Sequence, residues 1–188
     1  VATDATAPAT AAETVIPLPA ASTRLAIRAA RMIDGRSERL HRDAVVIVEG
    51  ERIVAVGGNE LLTPGLETLD LGDATLMPGL VDAHSHPLIT VDDYQTDHLK
   101  HSSAYKALRG LTAVQDNLRA GWTTLRIAGD ADVAYAVTDL RKAIDGGLFL
   151  GPRLSGAAHY LSTTGGGGDI NFLAPEVPVA ADGRIADG

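Results

Sequence analysis

The chain has no cysteine among its 188 residues. That removes disulfides, thiolate nucleophiles and cysteine-based zinc sites together, so any metal must be held by histidine and carboxylate-type ligands. It is also short of basic residues, with 16 Lys and Arg against 24 Asp and Glu for a formal net charge of -8. No Lys/Arg cluster forms a stripe that would track phosphates, so nucleic acid is not an expected partner. Any apolar run of about eighteen residues is missing as well; no membrane-spanning helix is expected, and the longest apolar stretches have strand length. What is present is a 45% hydrophobic composition with a mean hydropathy of +0.08, enough for a packed core.

Residues 1–23 read as a flexible leader, because Val1 to Ala21 is rich in Ala, Thr and Pro, with two acidic residues and no basic one. Removal of an upstream secretory signal would account for a first residue that is not Met and would place the protein in the periplasm or outside the cell. A trimmed chain from a cytoplasmic protein is the alternative.

From Arg24 onward the pattern is β. Leu25, Ile27 and Ala29 alternate with Arg24, Ala26 and Arg28 as a half-buried strand requires. Asp34-Gly35 marks a turn, Ala44–Val48 and Arg52–Val56 flank a hairpin connection at Gly50, and Thr68–Leu71 supplies one more short strand. Residues 24–76 are thus expected to be a small β unit. After Met77-Pro78-Gly79 the character changes to α/β. Leu80 to His86 reads as a buried strand, Tyr105, Leu108, Leu111 and Leu118 as a helix stopped at Gly121, and Trp122–Ile127 as a strand. Val133, Val137, Leu140 and Ile144 form a second helix capped by Asp132 and ended at Gly146-Gly147, and Pro152–Leu154 starts a further strand. Alternation of this kind predicts a parallel sheet, open or closed into a barrel.

His84 and His86 stand at i and i+2, so on a strand both rings leave the same face and can reach one ion. Neutral imidazole suits zinc and similar divalent ions, and a catalytic ion keeps a position open for water. Two histidines this close also occur on solvated turns; here, however, they follow Pro78-Gly79 and a buried-strand pattern, at the strand end where α/β barrels carry their catalytic side chains. Asp82 shares their parity and is a candidate to orient a ligand or to hold the strand's start. Histidines 41, 98 and 101 fall in polar surroundings and are expected at the surface. The run Gly165 to Gly168 lacks the Gly-Lys-Ser/Thr ending of a phosphate-binding P-loop and reads as a flexible loop.

Five segments, taken in order, resemble one family: Ala30–Gly35, Val46–Gly57, Met77–His86, Ala120–Arg126 and Gly151–Leu154. The family is the metal-dependent amidohydrolases, in the branch of imidazolonepropionase-like and Xaa-Pro or Xaa-Arg dipeptidase-like enzymes that includes ochratoxin-degrading amidohydrolases. The resemblance runs from about Arg24 to Asp169. It implies a (β/α)8 TIM-type barrel, of which residues 77–188 hold only the first units, and a small β-sandwich whose first part is residues 24–76. It further implies His84 and His86 as ligands of a divalent site, two zinc ions, completed by a carbamylated lysine, two more histidines and a catalytic aspartate beyond residue 188; a whole barrel takes about 250 residues.

The implied activity is hydrolysis of an amide bond by metal-activated water, in a C-terminal dipeptide or an N-acyl amino acid such as ochratoxin-like amides, by a homo-oligomeric enzyme with a small-molecule substrate. A cyclic-amide hydrolase of the imidazolonepropionase type is one alternative, and a non-catalytic scaffold is another. One departure stands out: where many members of the branch read Thr-Gly-Gly-His-Gly-Asp, this chain has Gly167 in the histidine's place. His159, read as lying on the preceding strand, is the candidate to compensate by contacting substrate.

Overall fold

A computed structural model of the chain describes residues 24–178 and 184–187. The leader expected at residues 1–23 lies outside the described residues. Two compact units divide between Pro78 and Gly79.

The first unit is one sheet. Strands β1 (Arg24–Ile33), β2 (Leu40–Glu49) and β3 (Arg52–Gly57) form an antiparallel meander; β4 (Glu67–Asp70) and β5 (Thr75–Leu76) then run parallel to β1, giving the order β3-β2-β1-β4 with β5 also on β1. The turn at Asp34 forms because its carboxylate accepts the amides of Arg36 and Ser37 at 2.8 and 2.9 Å, which holds that carboxyl well below the usual range. His41, expected at the surface, is half-buried instead, with Nε2 3.2 Å from Asp34 Oδ2.

The simple in-out alternation expected for β1 is not what packs. Ala26, Ala29 and Met32 are its buried residues, while Leu25 and Ile27 are half-buried. The reason is position: β1 is an interior strand, and apolar groups lie against both faces of the β1–β2 ladder. Ala26, Val45 and Ile47 cluster on one face; Met32, Ala44 and Val46 cluster on the other.

In the second unit, β6 (Leu80–Ser85), β7 (Trp122–Ala128) and β8 (Arg153–Ala157) form a parallel sheet in the order β6-β7-β8. Helices α1 (Tyr94–Lys100), α2 (Ser103–Arg119) and α3 (Ala136–Asp145) lie in the connections. Short strands β9 (Leu161–Ser162) and β10 (Arg184–Ile185) pair with each other. The core joins Leu125, Ile127 and Leu154 from the sheet to Val114, Val137 and Leu140 from the helices, with Leu88 from the β6–α1 loop. Each such side chain contributes roughly 1.5–3 kcal/mol on burial. Among the described residues, no helix is long and apolar enough to cross a membrane.

Three expectations for this unit need correction. Strand β6 is an edge strand whose residues are largely exposed, Ser85 alone being buried, because it has a neighbour on only one side among the described residues. On α2 the buried stripe is Lys106, Gly110 and Val114 rather than Tyr105 and Leu108, which are exposed; an interior polar partner for Lys106 turns the helix onto that face. Asp132 does not start α3 as its N-cap, which is Tyr135. It stands further upstream, buried, and its Oδ2 accepts the amides of Ala134 and Ala136 at 3.1 and 3.0 Å.

Candidate metal centre at the carboxyl edge of the parallel sheet

Because β6, β7 and β8 run parallel, the residues that follow them share one edge of the sheet. That edge is where open and closed α/β sheets place ligands. It receives His84 and His86 from β6, Gly129 to Asp132 from β7, and His159 and Tyr160 from β8.

His84 is exposed and His86 half-buried, and their Nε2 atoms converge to 3.1 Å with the ring planes at 68°. Two nitrogens bound to one ion at about 2.0–2.1 Å each stand roughly 3–4 Å apart, so this pair fits a shared divalent ion. The other ring nitrogen of His86 is 2.7 Å from the carbonyl oxygen of Gly129. A carbonyl only accepts, so Nδ1 donates to it and the Nε2 lone pair is turned toward His84, the arrangement that orients a metal-binding imidazole. Asp82 acts on the backbone rather than on a ring: its Oδ1 accepts the His84 amide at 2.9 Å. Among the described residues no cluster of three or more His, Asp or Glu side chains could hold a metal.

The β7–α3 loop supplies two buried carboxylates, Asp130 and Asp132. Asp130 is fully buried, with Oδ2 accepting the Leu88 amide at 2.9 Å and Oδ1 the Ala131 amide at 3.0 Å. Burial pushes its carboxyl up to about 6, against the pull of those two amides and of His86. Next to it Lys106, also buried, directs its three N–H bonds to Asp132 Oδ1 (2.9 Å), His98 Nδ1 (2.9 Å) and Ala131 O (3.2 Å). Ser103 Oγ donates to the same Asp132 oxygen at 2.6 Å. Burial raises the Asp132 carboxyl, but Ser103, the Ala136 amide and Lys106 outweigh it and hold the group below its ordinary value. His98 is therefore not a solvent-exposed helix residue as expected; it is buried because its Nδ1 completes the coordination of Lys106.

A cleft of about 450 Å³ opens beside His86, lined by Ile89, Tyr94, Tyr160 and Leu161 and floored by Ser162 and the glycine loop at Gly167-Gly168. A Cβ at Gly167 would meet nothing within 4 Å, so the position expected to differ from the resembled family faces open space. His159 does not line the cleft. It sits in the bend after β8 rather than on a strand, with its ring edge-on to Tyr135 at 5.2 Å. His101 stays half-exposed, stacked on Tyr105 at 4.5 Å.

The amidohydrolase family matches residues 75–186, which takes in all of this unit's described elements. The chain belongs to the amidohydrolase family. Ochratoxinase from Aspergillus niger is 33% identical over 155 residues, covering 78% of this chain and 30% of that protein. Its crystal structure superposes with a TM-score of 0.69 at 27% identity, over 89% of this chain and 41% of that one. A prolidase solved with N-methylphosphonate-L-proline gives a TM-score of 0.73 at 28% identity, over 88% of this chain and 41% of that one. Imidazolonepropionase from an Arthrobacter species is 34% identical over 61 residues, 32% of this chain and 15% of that protein. This amidohydrolase chain thus spans less than half the length of the proteins it matches, and its mixed α/β fold is similar to theirs over that portion.

Proposed function

We propose that the protein is a metal-dependent amidohydrolase that cleaves an amide C–N bond, with His84 and His86 as two ligands of a divalent metal site at the mouth of a (β/α)8 barrel begun by β6, β7 and β8. The observation that carries this is the convergence of the two Nε2 atoms to 3.1 Å while His86 Nδ1 is tied to the Gly129 carbonyl. The family match and the ochratoxinase and prolidase relatives support amide hydrolysis as the reaction class. A pair of zinc ions fits imidazole ligands in a chain without cysteine. When bound there, a divalent ion lowers the pKa of water toward neutrality and polarises the scissile carbonyl.

This chain's own residues have defined parts in that reaction. His84 and His86 present ring nitrogens from the end of β6, and the Gly129 carbonyl orients the second. Asp130 holds the backbone just past His86 through the Leu88 amide, keeping the ligand's position independent of the loop that follows. Ile89, Tyr94 and Tyr160 wall the adjoining cleft and exclude water from one side of the substrate. The lysine, histidines and aspartate that the family resemblance adds are not provided by this stretch: Lys142, its last lysine, pairs with Asp139 on α3.

For the substrate we favour a C-terminal dipeptide or an N-acyl amino acid. A second reading, hydrolysis of a cyclic amide, is supported by the imidazolonepropionase relative. The deciding experiment is elemental analysis of the full-length protein and of its His84→Ala/His86→Ala variant, with both assayed on N-acyl amino acids, dipeptides and imidazolonepropionate. Metal in the parent, lost together with amide hydrolysis in the variant, is the expected result. A metal-free parent, or undiminished hydrolysis in the variant, overturns the proposal.

A further inference from the structure

On the reading of His86 as a metal ligand, we propose that the buried Lys106–Asp132 pair is a positioning device for that ligand, acting through the loop Gly129–Asp132. Neither residue lines the cleft beside His86. Its side chains are 2% exposed on both partners. Burying two opposite charges costs about as much as their attraction returns, and apolar residues of similar volume do as well or better for stability alone. The geometry shows what the charges do that apolar groups would not.

Lys106 Nζ grips the loop at two points, the Ala131 carbonyl and the Asp132 carboxylate, while Asp132 in turn fastens the first turn of α3 and Ser103 of α2. These bonds leave peptides 131 and 132 with one orientation. Upstream, the Asp130 amide donates to the Ala158 carbonyl at 3.2 Å, and the Asp130 carboxylate takes the Leu88 amide. The Gly129 carbonyl, which receives His86 Nδ1, belongs to the same peptide as the Asp130 amide, so it lies directly upstream of the segment that Lys106 and Asp132 hold. Every donor of Lys106 and both oxygens of Asp132 are engaged, so the network is complete and has no slack to absorb a missing member. Removing Lys106 frees peptide 131 and leaves the Gly129–Asp130 peptide held by the 3.2 Å bond to Ala158 and by the Asp130 carboxylate, so its carbonyl gains freedom to tilt and His86 to exchange tautomers.

The test uses the full-length protein with cobalt(II) as the probe, read by its visible absorption, together with the nitrogen chemical shifts of the His86 ring in metal-free protein. Lys106→Met is expected to weaken cobalt binding by roughly 10- to 100-fold, the range typical of a lost ligand-orienting partner. Its His86 ring is expected to shift from the Nδ1–H form to a mixture. Two further variants separate this from a general loss of stability. Val114→Ala, about two turns further along the same buried stripe of α2, is expected to lower the denaturation midpoint with cobalt affinity unchanged. Lys106→Met/Asp132→Leu is expected to regain stability but not affinity. The proposal is overturned if Lys106→Met binds cobalt like the parent, or if the double variant recovers affinity along with stability. A parent that takes up no cobalt removes the metal reading; the His86 tautomer still decides the tether, and an unchanged ring in Lys106→Met refutes it.

Discussion

Gly129→Ala is the substitution that tests most directly whether the fold holds the site in place. Gly129 sits at φ +99°, where an L side chain is strained, and a Cβ there would fall 2.4 Å from Tyr160 Cδ1, 2.9 Å from Tyr160 Cβ and 3.0 Å from its backbone nitrogen. The backbone strain costs on the order of 1–3 kcal/mol. The overlap adds about 1–3 kcal/mol, since the Tyr160 backbone cannot rotate away as a side-chain tip could. Together these predict a loss of about 2–6 kcal/mol, a large part of the 5–15 kcal/mol typical of a folded domain. If the backbone relaxes, the Gly129 carbonyl moves with it and His86 loses the acceptor now 2.7 Å away.

Urea denaturation of metal-free full-length protein reads the first effect, and a cobalt titration of the folded fraction reads the second. Gly129→Ala/Tyr160→Ala divides the cost, because it removes the ring overlap at Cδ1 and leaves the contacts with Cβ and the backbone nitrogen and the φ strain. Recovery of part of the lost stability is expected, with cobalt affinity still reduced. An unchanged urea midpoint in the single variant would refute the packing argument. Unchanged cobalt affinity in a clearly destabilised variant would refute the coupling between this loop and His86.

Other consequences are more compact. Asp130 has a folded-state pKa raised from 3.8 to about 6 by burial, so its contribution is fully present below about pH 4 and lost as the pH rises through 6. The loss is about 3 kcal/mol for a shift of roughly two units, and urea midpoints of the metal-free protein between pH 4 and 8 should show it, with a flatter profile in Asp130→Asn. Leu125→Ala, which empties a fully buried place in the core beneath the site, is expected to cost about 2–5 kcal/mol in the same assay. Gly167→Ala meets nothing within 4 Å, so its stability should stay within about 0.5 kcal/mol of the parent, while relative kcat/KM among N-acyl substrates changes because the new methyl enters the cleft.

The parts legible in the sequence were those written in periodicity and punctuation. Leu125 and Ile127, alternating with Arg126, mark β7 and its core-facing side, and the glycines after α2 and α3 stop both helices where they were expected to. The His84-Ser85-His86 spacing was legible because the period of a strand is fixed by geometry. Lys106 was not legible: a lysine in a helical stripe reads as surface, and only a partner 26 positions away explains its burial. His98 followed it inward for the same reason. The cleft was hidden too, since Tyr94 and Tyr160 reach it from separate connections and no local pattern joins them.

This division has a physical basis that bears on the site itself. Local rules place a ligand on an element, but the precision a metal requires, a few tenths of an ångström and one tautomer, comes from groups distant in sequence. Here β6 carries His84 to the sheet edge and ends at Ser85, one residue before His86, whereas the proton on His86 is decided by a carbonyl 43 residues later. That carbonyl belongs to a glycine that admits no side chain, at the start of a loop whose own Asp132 pairs with the buried Lys106 of α2.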